Sequence, residues 1–201
     1  MSMSPASKWF RYLVPVVSVC GVLYAAAWPD DAVETVKSTL ARLWDYQASN
    51  GADKGWSIAF SFPETVVNDY IKYLISSHTR DGVRDASVKL KHDSVELTCT
   101  VDVGRIHEWR PQLFKAGSPL LDKDTLTLKA TFNVTVAGNT ATVTVVSVSA
   151  GDAAVDATLA RQVLDALAAG QPEHFDLSKA VHLPFTLKRV QIGSGLIEGE
   201  T

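Results

Sequence analysis

The chain has 201 residues, 46% of them hydrophobic and 20% charged, which is ample for one packed domain and unlike a disordered chain. Its net charge is −3, so it lacks the basic face that nucleic acid demands, which argues against DNA or RNA as a partner.

In chain order, residues 1–28 come first. Lys8 and Arg11 precede an uncharged run from Tyr12 to Trp28, and Asp30 and Asp31 come after it. Basic residues before an apolar stretch and acidic ones after it orient the N-terminus to the cytoplasm and export the rest. The run of 17 residues is shorter than the roughly 20 of a bilayer span and ends in Ala25-Ala26-Ala27, the small-residue pattern of signal peptidase sites. A cleaved signal peptide and an uncleaved single transmembrane anchor both remain open. Lipidation at Cys20 is the weaker reading, because Val19 is bulky where a small residue is wanted. A buried N-terminal helix of the domain fits less well, because no charge interrupts the run. The three export readings each place residues 30–201 outside the cytoplasm, periplasmic or tethered to the inner membrane. Beyond the segment only Cys99 remains, on the apolar face of an alternating run, so it reads as a small core residue.

Residues 29–55 read as an amphipathic helix and linker. Val33, Val36, Leu40 and Leu43 recur three or four apart behind an acidic first turn, until the Gly/Asn/Asp-rich "ASNGADKG" breaks the pattern. This helix either packs on the domain or spaces it from a membrane.

Residues 56–201 form the domain. In "WSIAFSF" the large apolar residues alternate (Trp56, Ile58, Phe60, Phe62), predicting a strand over 56–62. The period then becomes helical through Val67, Tyr70, Ile71, Leu74 and Ile75, predicting a helix over 62–77. Ser61 and Glu64 have capping-box spacing, with Pro63 in the first turn. Asn68 on that helix reads as a cap for a neighbouring strand edge.

The rest of the domain is mostly strand, alternating with period two as an antiparallel sheet with one wet face does. A hairpin is predicted at His92-Asp93-Ser94 and another at Ala137-Gly138-Asn139. A second helix fits 152–169, stopped by Gly170, and the chain closes with two short strands around Gly193-Ser194-Gly195. The fold class is therefore α+β: a long-stranded, curved antiparallel sheet against one or two helices.

The stretch 104–124 reads as one long irregular loop. It interleaves Arg105, Arg110 and Lys115 with Trp109 and Phe114, a mixture suited to a membrane interface. A loop packed on the sheet by its own Trp and Phe is the equal alternative. No enzyme signature is present. The five histidines lie in separate contexts without metal-ligand spacing, and there is no nucleophile elbow or phosphate loop. No metal, cofactor or catalytic role is expected.

Several features together resemble a known family. They are Glu64 and Asn68 four apart on a helix, then Tyr70-Ile71 and Leu74, two alternating hairpins, a strand–Gly–helix unit from Val148 to Leu167, and a terminal "LPF…GLIEG". This order resembles small bacterial envelope proteins with a tubular lipid-binding (TULIP-like) fold, relatives of the bactericidal permeability-increasing protein and SMP domains. The resemblance implies a curved sheet wrapped on a helix around an apolar groove that binds or transfers a lipid at a membrane surface. Phe60, Phe62, Tyr70, Ile71 and Leu74 would then touch the lipid. The chain is small for such a fold, and small members can pack a solid core in place of a cavity, a departure that bears on ligand binding more than on fold. Lipid binding or transfer is the function expected first. The alternative function is an envelope structural or interaction module that docks a partner protein. What discriminates the two is whether the apolar faces of sheet and helices fill one another.

Overall fold

The computed structural model describes residues 31–77, 81–113, 122–151, 157–171, 176 and 179–201. The expected export segment lies outside the described residues, as do Phe114 and Lys115.

Helix α1 (Asp31–Ala48) carries Asp31 and Glu34 in its first turn, where the helix dipole favours them. It buries Val33, Val36, Leu43 and Tyr46, so it packs on the domain. A 3-10 turn, Gly51–Lys54, comes next. The Trp56 amide closes back onto the Gly51 carbonyl at 3.0 Å, so Trp56 belongs to this turn. Strand β1 (Ala59–Pro63) therefore starts later than the alternation predicts, and Trp56 is 59% exposed.

Helix α2 (Glu64–Ser76) starts directly after β1, with Pro63 at its N-cap and no side-chain cap bond. The predicted capping box does not form. Ser61 is held in β1, and Glu64, the first helical residue, sends its carboxylate to a neighbouring strand instead.

Strands β2 (Val83–Lys91) and β3 (Ser94–Asp102) form the expected hairpin, with Asp93 left-handed at φ 58°. Immediately afterwards the structure corrects the loop reading of 104–124. Residues Val103–Trp109 are helix α3, with a 3-10 turn at Pro111–Leu113 behind it. The Asp102 side chain caps α3 by accepting from the Arg105 amide at 3.1 Å, and Val103 and Ile106 are buried beneath it.

Strand β4 (Thr125–Ala150) keeps β conformation throughout but is not straight. The Gly151 amide donates to the Thr127 carbonyl at 2.8 Å, whereas a straight strand would hold these residues about 80 Å apart. Moreover, Ala130 and Phe132 share one apolar cluster with Val143, Val145 and Val148. The ribbon thus doubles back near Gly138, at φ +62°, where the hairpin was expected. Inward-facing residues are even-numbered in the first arm (Leu126, Leu128, Ala130, Phe132) and odd-numbered at Ala141 and Val143, and the parity returns to even by Ala150. Two successive exposed residues, Val146 and Ser147, mark the slip, as a β-bulge does.

Helix α4 (Ala157–Gly170) and strands β5 (Val181–Leu187), β6 (Arg189–Gly193) and β7 (Leu196–Glu200) complete the fold. The closing segment is thus three strands, one more than the sequence suggested. Sheet order is β2-β3-β4-β5 in one sheet and β1-β7-β6 in another. The architecture is α+β with antiparallel sheets, but two sheets replace the single one expected. Cys99 is buried as expected, and burial pushes its thiol up to about 12.

Candidate functional site

The residues expected to touch a lipid sit on β1 and α2. Phe62, Tyr70, Ile71 and Leu74 are buried, with Tyr70 and Leu74 only 0% and 1% exposed. They belong to one cluster with Val88, Leu90, Val101 and Leu128 of the larger sheet and with Val33 and Val36 of α1. Phe60 is half-buried, its ring 5.4 Å from that of Phe62. It lies across the β1–β7 pair on Gly199, where any Cβ would run into the ring.

The polar residues of α2 act on a strand edge. Asn68 donates to the Val88 carbonyl at 2.9 Å and accepts from the Val88 amide at 2.7 Å, as the sequence suggested. One turn earlier, Glu64 accepts from the Leu90 amide at 2.7 Å. Residues four apart share a helix face, so both reach the outer edge of β2, the end strand of its sheet.

Of the residues assigned to a membrane-facing loop, Trp109 is packed instead. Its indole lies in a slot between Gly82 and Gly170, where an added Cβ would stand 2.6 Å and 2.5 Å from ring carbons. Arg105 pairs with Asp81 at 2.5 Å and with Glu108 at 2.6 Å, and these hydrogen bonds raise its pKa. Gln171, beside the slot, donates to the carbonyls of Asp81 and Leu167, each at 3.0 Å. Arg110 is exposed at the end of α3. Arg84 forms a 2.6 Å pair with Asp102, and that hydrogen bond is the main reason the Asp102 carboxyl is held below its usual range.

A third feature escaped the sequence reading. An open groove of about 380 Å³ runs between the C-terminal half of α1 and the segment entering β1, lined by Arg42, Asp45, Tyr46, Ser49 and residues 56–58. The Lys54 ammonium stands 5.5 Å from the Trp56 ring centroid. The alternation of Trp56 with Ile58 hid this site by making Trp56 look like core. The Gly-rich break at 50–55 was the signal that the chain had not yet entered a sheet.

Among the described residues no cluster of His, Cys, Asp and Glu could hold a metal, and no helix is long and apolar enough to cross a membrane. Set beside known proteins, the chain matches no family model, no curated protein and no solved structure.

Proposed function

We propose that the chain is a non-catalytic envelope protein, exported or anchored by its first 28 residues, whose domain works through its surface as an interaction module. The observation that carries this reading is the packing of Phe62, Tyr70, Ile71 and Leu74 against α1 and the larger sheet. Tyr70 and Leu74, at 0% and 1% exposed, have close-packed neighbours, which supports a solid core around them rather than an open lipid groove. On this reading the resemblance to tubular lipid-binding proteins concerns the order of elements, and among the described residues these four side chains belong to a packed core.

Native mass spectrometry of the full chain, before and after incubation with phospholipid vesicles, tests this. A bare polypeptide mass is expected in both spectra. A reproducible adduct that extracts into organic solvent as lipid would overturn the solid-core reading and restore the lipid carrier.

A further inference from the structure

The exposed strand edges of this domain are treated unequally. On β2, Asn68 and Glu64 occupy the outward groups of Val88 and Leu90, and the Gly195 amide takes the Leu90 carbonyl at 3.0 Å. On β5, the Gln47 side chain accepts from the Thr186 amide at 3.2 Å. On β6, the Asp93 amide takes the Ile192 carbonyl at 3.0 Å.

β1 differs. Its bonds to the β7 side are made by even-numbered residues: Thr201 donates to the Ile58 carbonyl at 3.1 Å and Glu64 to the Gly195 carbonyl at 2.9 Å, both in the β1–β7 register. In an antiparallel pair the alternate residues turn their N–H and C=O the other way. Those residues are Ala59, Ser61 and Pro63, all exposed. Among the described residues nothing bonds the amides of Ala59 and Ser61 on that side. The Trp56 groove is lined by residues 56–58, which lead directly into this strand.

We propose that β1 is a docking strand, whose outer edge receives an extended segment of another protein and seats one of its apolar side chains beside Trp56. The inference rests on the surface-module reading above. Extended backbone presents outward groups every second residue, about 6.6 Å apart, and only another extended backbone matches that repeat along its length. Main-chain bonds would supply affinity and the groove would select the anchoring side chain. Pro63 has no amide, so pairing ends there and the added strand runs from Ser61 toward the groove.

A second copy of this chain fits the edge poorly. Antiparallel self-pairing about Ser61 would set Pro63 of one copy opposite Ala59 of the other, leaving the Ala59 carbonyl without a donor. It would also bring the start of α2, which is helical, opposite Trp56 and Ser57. The groove would then receive no extended segment.

The test selects random peptides displayed on phage against the full chain, then measures the enriched sequences as synthetic peptides by calorimetry. Enrichment of alternating apolar sequences is expected, with about a tenfold loss of affinity for Ser61→Pro, which deletes one outward amide. A similar loss is expected for Trp56→Ala, at an exposed site that leaves the fold intact even where Ser61→Pro does not. No enrichment, or peptides that bind both variants as tightly as the parent chain, would overturn the proposal. A dimer abolished by Trp56→Ala would overturn it too, installing a second copy at this edge. A lipid adduct in the mass spectrum would sink the solid-core reading while leaving these peptide results to be read separately.

Discussion

Trp109 and Trp56 exchange the roles their neighbourhoods in the sequence suggest. Trp109 lies among arginines and a lysine and looks poised for a membrane, yet it fills a slot between two glycines. Trp56 opens an alternating apolar run and looks like core, yet it is 59% exposed beside an open groove. An aromatic residue is buried by the space that distant residues leave for it. Gly82 and Gly170 make that space for Trp109, while the closed 3-10 turn keeps Trp56 outside the sheet.

The comparison can be broken most severely at Trp109 itself. Trp109→Ala should lose about 3 kcal/mol of stability by emptying the slot, read as a lowered urea midpoint. Gly170→Ala attacks from the other side, placing a Cβ where the indole lies. It should cost about 1–3 kcal/mol and shift the fluorescence to the red as Trp109 moves toward water. Asp102→Ala removes the cap of the helix that carries Trp109 and should cost about 1 kcal/mol near neutral pH. The Asp102 carboxyl is held below its usual range by the Arg84 hydrogen bond, so its contribution is present above that range. The contribution is lost as pH falls through the lowered value, and the difference between Asp102→Ala and the parent chain should shrink at acid pH. Trp56→Ala should change stability by no more than about 0.5 kcal/mol. A larger loss would show Trp56 to be a structural residue and would remove the contrast.

Much of the fold was legible because its signals are local. The alternation of β2 and β3, the helical spacing of α1 and α2 and the glycine at 138 each name an element from a few neighbouring residues. Helix α3 was hidden because its cap, Asp102, is also the last residue of an alternating strand, and seven residues are too few to display a period. The division into two sheets was hidden because it depends on which distant strands pair. Of the candidate site, Asn68 could be read as an edge cap, since a buried face leaves a short amide little else to reach. Glu64 could not, because its spacing from Ser61 offered a plausible local partner, and only the approach of β2 decided against it.

The β1–β7 pairing has a consequence for timing. Ile58 bonds to Thr201 across 143 residues of chain, so the smaller sheet is closed by strands made far apart in synthesis. Until β7 emerges, the inner side of β1 lacks its pairing strand, and the Phe60 ring lacks the backbone of Gly199 beneath it. Contacts of such long sequence separation slow folding, and in a nascent chain the smaller sheet would stay open until nearly all of the domain had been made.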